Sequence, residues 1–145
     1  MGKKLFVIFA MVLLISNLAF AEMLPDEAAA KDLANKIMGK VAAGDFDTTF
    51  KLMKPYVPLS ATEVDSAALQ TKTLREQFGQ RYGESIGYEF IDSKKIGDFL
   101  LRLRYVEKTK IHVLPWVFYF YKTKEGWILN SFDWNDQYKV LFQPN

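Results

Sequence analysis

The sequence predicts an α+β domain in which three N-terminal helices pack on a four-stranded antiparallel sheet. Apolar residues recur at helical spacing from Asp26 to about Tyr82. From Gly87 onward, β-branched and aromatic residues instead come in runs that are separated by short polar turns. Turns of this length cannot hold crossover connections, so the strands are expected to form a meander of antiparallel hairpins.

The segment before the domain, residues 1–21, has the order of a secretory signal peptide. Lys3-Lys4 precede an uncharged apolar run from Leu5 to Phe20, and Ala19-Phe20-Ala21 stands directly before Glu22. The run is shorter than the roughly 20 residues of a membrane helix. We therefore expect cleavage before Glu22, one domain over residues 22–145, and a secreted protein of the bacterial periplasm. An uncleaved membrane anchor is the alternative.

The charge balance argues against nucleic acid as a partner. The chain has 19 basic and 17 acidic residues, and two of the basic ones, Lys3 and Lys4, lie in the leader. The mature protein is thus close to neutral and has no long-range field that would collect a polyanion. There is no cysteine, so no disulfide can form and an apolar core must stabilise the fold. No later apolar run is long enough to span a membrane, so no membrane association is expected after cleavage.

The first helix is predicted from about Asp26 to Ala43. Asp26 is a suitable N-cap, and Gly44 follows as a left-handed cap at the other end. Between them, apolar residues repeat every three or four positions and mark the face that packs on a core. These residues are Ala30, Leu33, Ala34, Ile37, Met38 and Val41.

Two further helices follow before the sheet. Phe46, Phe50 and Met53 share one face of a short helix that Pro55 ends. A capping box, formed by the segment Ser60-Ala61-Thr62-Glu63, then begins a long third helix that runs to about Tyr82. Its polar face is interpreted as solvated.

The strand-like region divides into four strands because polar turns interrupt it three times. The predicted strands are Tyr88 to Ser93, Phe99 to Glu107, Ile111 to Tyr121 and Trp127 to Trp134.

Three segments give the chain a resemblance to a known family. They are Ala42-Ala43-Gly44-Asp45-Phe46, the run from Trp116 to Lys122, and Glu125-Gly126-Trp127-Ile128-Leu129. With three helices before a curved sheet, the chain resembles the nuclear transport factor 2-like superfamily. The resemblance implies a cone in which the sheet wraps around the long helix and whose mouth often holds a ligand. Members include isomerases, cyclases and dehydratases, and this chain looks more like the small exported members of unknown role.

The candidate site comes from sorting the sheet into two faces. Pairing the strands through the shortest turns places Tyr121 opposite Trp127 and Arg102 opposite Trp116. One face then combines arginines with aromatic residues. Three helices cover only one face, so we expect a ligand or a partner on the other. The candidate ligand or interface residues are Arg102, Arg104, His112, Trp116, Phe132 and Trp134.

No pattern in the sequence carries a catalytic or metal signature. His112 is the only histidine, so a metal site of several histidines and cysteines is excluded, and no cofactor is expected. No segment of the sequence matches the isomerase motif of an aspartate base with tyrosine and acid donors, so no catalytic residue is expected. The sequence favours non-catalytic binding of a small molecule or of an envelope protein, with a homodimer through the sheet as one possibility. An isomerase- or cyclase-like enzyme with its site in the cone mouth is the alternative, and a purely structural accessory domain in an envelope assembly is the third hypothesis.

Overall fold

The computed structural model describes residues 21–144, so the leader predicted at residues 1–21 lies outside them apart from Ala21. The elements, in chain order, are α1 (Glu27–Ala42), α2 (Phe46–Met53), a 3₁₀ turn (Lys54–Tyr56), α3 (Ala61–Tyr82), β1 (Ser85–Ile96), β2 (Leu100–Thr109), β3 (Val113–Lys122), β4 (Trp127–Trp134) and a second 3₁₀ turn (Tyr138–Phe142).

The α+β class is confirmed, with three α-helices before an antiparallel sheet of order β1-β2-β3-β4. The helical structure is not all N-terminal, however, because the second 3₁₀ turn follows the sheet. A turn of 5 residues is too short for a helical period to be recognised in the sequence. Within residues 21–144, no helix combines the length and the apolar character that crossing a membrane requires.

The helix ends are where the capping residues predict them. Asp26 accepts a hydrogen bond from the Ala29 N–H at 2.8 Å and begins α1. The capping box at the start of α3 is confirmed, since Ser60 and Glu63 each accept from the backbone N–H of the other.

The edge strand β1 is longer than predicted at both ends. It is mostly exposed, so its sequence lacks the apolar alternation of an inner strand, and Lys94 and Lys95 look like turn residues. Register shifts at Ser85/Gly87 and Phe90/Asp92 also break the period of two.

The predicted pairing of β2 with β3 was wrong. Arg102 lies opposite Tyr119, and Trp116 lies opposite Tyr105. The offset from the expected register is odd, and an odd offset moves every side chain of one strand to the other face.

The pairing of β3 with β4 was also off, by a single residue. Trp127 lies opposite Lys122 rather than Tyr121, and a β-bulge interrupts the ladder between Tyr119 and Phe120. The turn is one residue shorter than the predicted pairing required, and the bulge changes which residues share a face beyond it.

The core lies between the helices and one face of the sheet. From the helix side, α1 contributes Ile37 and Met38, and α2 contributes Phe50 and Met53. The sheet contributes Leu101, Leu103, Tyr105, Trp116, Phe118, Phe120, Trp127 and Leu129. We call the opposite side of the sheet the outer face; it carries Arg102, Arg104, Val117, Tyr119 and Tyr121.

Candidate functional site

A cavity of about 540 Å³ opens where the turn between α1 and α2 meets the C-terminal half of α3 and the start of β1. Gly44 permits this turn, because its φ of 72° is a conformation that residues with a side chain rarely adopt. The Gly44 N–H donates to the Val41 carbonyl at 3.0 Å, and the Asp45 N–H donates to the Lys40 carbonyl at 2.9 Å. These bonds end α1 and fix one wall of the cavity.

Arg75 of α3 lines this cavity, yet only 7% of its side chain is exposed. Its Nη2 donates to Oε1 of Glu107 at 2.5 Å, and the indole Nε1 of Trp116 donates to the other carboxylate oxygen at 3.1 Å. The guanidinium carbon also lies 5.7 Å from the centre of the Phe46 ring. Two strands and two helices therefore hold this one cation in place.

Two other nitrogens of Arg75 have no hydrogen-bond partner within residues 21–144. These atoms, Nε and Nη1, are both buried. A buried donor without a partner costs about 1–3 kcal/mol, and the Phe46 ring compensates only in part. A ligand acceptor would recover that free energy once a small movement of the Arg75 side chain opened these buried atoms to the cavity.

Glu107 differs from Arg75 in that the protein encloses it completely. The residue is 0% exposed and does not line the cavity. Burial raises the pKa of its carboxyl group, although Arg75 and the Trp116 indole act in the opposite direction. Since both oxygens already accept hydrogen bonds, Glu107 positions Arg75 rather than meeting a ligand itself.

The rim of the cavity is acidic. Asp47 forms an ion pair with Lys72, and hydrogen bonds from Thr48 lower the pKa of Asp45, which caps α2. Glu76 and Glu84 also line the cavity, and no ion pair joins either of them to another residue of the described range.

The structure separates the predicted arginines from the predicted tryptophans. Arg102 and Arg104 lie on the outer face, where Arg104 donates from Nε to Asp92 at 2.7 Å and Arg102 lies 3.7 Å from the same carboxylate. The hydrogen bonds to Asp92 raise the pKa of Arg104. Trp116 is fully buried on the helix side. The expected shared face of arginines and tryptophans was therefore wrong.

The predicted aromatic residues of β4 do come together, but on the helix side. The Trp134 ring stacks on Trp116 with 5.5 Å between centroids, and its Nε1 donates to Thr71 of α3 at 3.3 Å. Phe132 and Trp134 line a shallow groove of about 400 Å³ between α3 and β4. Their principal role is to pack α3 against the sheet.

His112 lies in the turn between β2 and β3 and not beside the arginines. Its ring stacks on Tyr82 at 4.1 Å, and Nε2 lies 3.0 Å from the carbonyl oxygen of Asp136. A carbonyl can only accept, so Nε2 is the protonated nitrogen. The Tyr138 ring also contacts the imidazole in an edge arrangement, with 5.5 Å between the ring centroids. The histidine thus fastens the C-terminal 3₁₀ turn to α3.

Arg75 and Glu107 were missed because each looked ordinary in its own element. Glu107 follows Leu103 and Tyr105 at intervals of two, which places it on the core face of β2. A charged residue at such a position was the available signal. The charged side chains of α3 had been interpreted as a solvated face, which was wrong for Arg75.

Comparison with known proteins identified no relative: no family model, no curated protein and no solved structure matches the chain. Among residues 21–144, no group of three or more histidine, cysteine or acidic side chains is placed to hold a metal ion.

Proposed function

We propose that this protein binds a small molecule, without chemical change, in the cavity lined by Arg75. The observation that carries the proposal is the buried guanidinium with two donor nitrogens that have no hydrogen-bond partner within the described part of the chain. Polar groups buried in this way are normally hydrogen-bonded, so an acceptor atom of a ligand is the expected partner. The volume of about 540 Å³ is within the usual range of small-molecule sites.

The alternative is an isomerase- or cyclase-like enzyme in the same cavity. Such chemistry needs a carboxyl group that reaches the substrate, with a pKa adjusted to proton transfer. Glu107 has a raised pKa but is enclosed and fully hydrogen-bonded, which supports binding over catalysis. Conversion of the bound molecule by the wild type and not by Glu107→Gln would favour the enzyme.

The test of binding is native mass spectrometry of the protein purified from its own host. Arg75→Met alone would leave the Glu107 carboxylate buried without a counter-ion, so the informative variant is Arg75→Met with Glu107→Leu. Arg81→Met is the matched control, because Arg81 lies exposed on the same helix. We expect one small molecule on the wild type and the control and none on the double variant. Repeated absence from the wild type, or retention by the double variant, would refute the proposal.

We also propose that the protein is exported and that its fold is the nuclear transport factor 2-like cone. The order of helices and strands supports the family. The backbone N–H of Glu22 donates to the Pro55 carbonyl at 2.6 Å, so the fold would hold the end created by cleavage. N-terminal sequencing of the periplasmic protein should begin at Glu22, and a retained leader would contradict export.

A homodimer through the outer face is a second proposal, which rests on exposed aromatic residues. Tyr119 and Tyr121 are 40% and 41% exposed beside the two arginines, a composition typical of protein contacts. Sedimentation velocity should show a dimer that Tyr119→Glu with Tyr121→Glu converts to a monomer. Leu69→Glu, at an exposed site on α3, should leave the dimer intact. A monomeric wild type would refute the dimer and leave the outer face to an envelope protein.

A further inference from the structure

We infer that the ligand of the Arg75 cavity is a small organic cation: a protonated amine that also carries a neutral oxygen acceptor, such as an amide carbonyl. The inference rests on the proposed binding function and adds the chemical class of the ligand. It follows from the different charges at the inner wall and at the rim of the same cavity.

The inner wall needs an acceptor and not an additional negative charge. Arg75 already shares its charge with Glu107, so the pair is electrically balanced. A ligand carboxylate or phosphate would add an uncompensated negative charge next to an enclosed carboxylate. A carbonyl or hydroxyl oxygen could accept from Nε or Nη1 without that cost.

The rim, by contrast, favours a positive charge. Lys72 is paired with Asp47, so it does not neutralise the carboxylates of Glu76 and Glu84, which also line the cavity. The C-terminal ends of α1 and α3 also border the cavity with the negative ends of two helix dipoles, which Lys40 and Arg81 in the last turns offset in part. The N-terminus of α2, which has the opposite sign, is offset by its Asp45 cap.

An organic cation fits this rim better than a metal ion. Within the described part of the chain, the acidic side chains do not converge into a group that could ligate a metal. Dispersed carboxylates around an opening of this size instead suit an ammonium group, which needs no fixed coordination geometry.

The probes are three molecules with one carbon skeleton: L-leucinamide, L-leucine and 4-methylpentanamide. At pH 6 the first is a cation, the second a zwitterion and the third neutral. Affinities are measured by titration monitored through amide chemical shifts. We expect leucinamide to bind about five- to tenfold more tightly than either of the others, because two rim carboxylates attract its amine. Its affinity should fall as sodium chloride is added.

The rim variant Glu76→Gln with Glu84→Gln should remove the advantage of leucinamide and leave 4-methylpentanamide unaffected. The matched control is Glu125→Gln in the turn between β3 and β4, at the other end of the sheet. Equal affinity of the three probes, preference for leucine, absence of binding by all three, or no effect of the rim variant would each overturn the inference. The binding function itself fails only if the native-mass experiment also shows no ligand that depends on Arg75.

Discussion

Replacing Glu107 by leucine removes the carboxylate that holds the buried guanidinium of Arg75. An ion pair broken in the interior costs about 3–5 kcal/mol, since the remaining charge is left without compensation. The indole N–H of Trp116 also loses its acceptor, which costs about 1–3 kcal/mol. We expect Glu107→Leu to lower the free energy of unfolding by about 4–8 kcal/mol, a large share of the roughly 5–15 kcal/mol of a typical domain.

The double variant Arg75→Met with Glu107→Leu should regain most of that loss, because it removes both charges and fills the same space with apolar atoms. Replacements of this kind are often neutral or stabilising. The coupling energy of the double-mutant cycle should therefore exceed about 2 kcal/mol. Only the Trp116 indole N–H, left without its acceptor, should keep the free energy of unfolding of the double variant below that of the wild type.

The assay is urea denaturation monitored by far-ultraviolet circular dichroism, with the free energy and the m-value fitted together. The control cycle uses the exposed pair of Lys54 and Asp65, whose side chains are 40% and 69% exposed. The coupling energy of that control cycle should be about 0–1 kcal/mol. If the buried cycle gave the same small value, the reasoning on Arg75 and Glu107 would be refuted.

The raised pKa of Glu107 makes the free energy of unfolding depend on pH. The folded protein holds this proton more tightly than the unfolded chain, whose pKa is close to the ordinary value of 4.5. The contribution of Glu107 to stability is therefore greatest below that pH and falls as the pH rises toward the folded pKa. The difference in free energy of unfolding between wild type and Glu107→Gln should follow this trend, and a difference of the opposite sign would contradict it.

Three further predictions concern the fold. Burial raises the pKa of Tyr105 to about 12, so alkaline titration by ultraviolet absorbance should show a late tyrosinate step that Tyr105→Phe lacks. The free energy of unfolding should fall from about pH 10 to about pH 12, because the unfolded chain loses this proton first. Gly126→Ala should lower the free energy of unfolding, measured in urea, by at least about 1–3 kcal/mol, because the new Cβ would lie 2.6 Å from the Leu24 carbonyl oxygen at a φ of 150°. Gly39→Ala is the control and should not be destabilising, because there is open space around Gly39. Ser60→Ala should cost about 1 kcal/mol by the same assay, since it removes the cap of α3, and an unchanged midpoint would contradict this.

The helices could be predicted closely because their signals are local. Asp26 begins α1 and Ser60 begins α3, and each acts on N–H groups within three residues. The four strands could also be predicted, because the spacing of apolar residues changes from helical to strand-like at Gly87 and polar turns then separate the runs. These elements depend on neighbours in the chain and not on the rest of the fold.

The faces of the sheet could not be predicted in the same way. The bulge between Tyr119 and Phe120 adds a residue on one strand without any glycine or proline to mark it. The register of β2 on β3 has a separate cause, because that ladder has no bulge and its turn closes between Thr109 and His112. Arg102 therefore pairs with Tyr119 instead of Trp116, and this odd offset exchanges the predicted face for the other, because neighbouring side chains point to opposite sides.

The site was harder to predict than the faces, because its two main residues are 32 positions apart. A charged side chain on a long polar helix has no local feature that separates Arg75 from exposed neighbours such as Lys72. The burial of Arg75 depends on the carboxylate of Glu107, which lies on β2. The pairing is a property of the tertiary fold, and only the position of Glu107 on an apolar face pointed to it.

Stability alone does not explain why a balanced ion pair stands in the wall of the cavity. If the double variant is nearly as stable as the wild type, an apolar pair would serve the fold equally well. The ion pair leaves two donor nitrogens of Arg75 buried without a partner among residues 21–144, which an optimised core would avoid. Such a local departure from good packing is typical of a functional site. A double variant that folds normally but carries no ligand would show that Arg75 and Glu107 are maintained for binding.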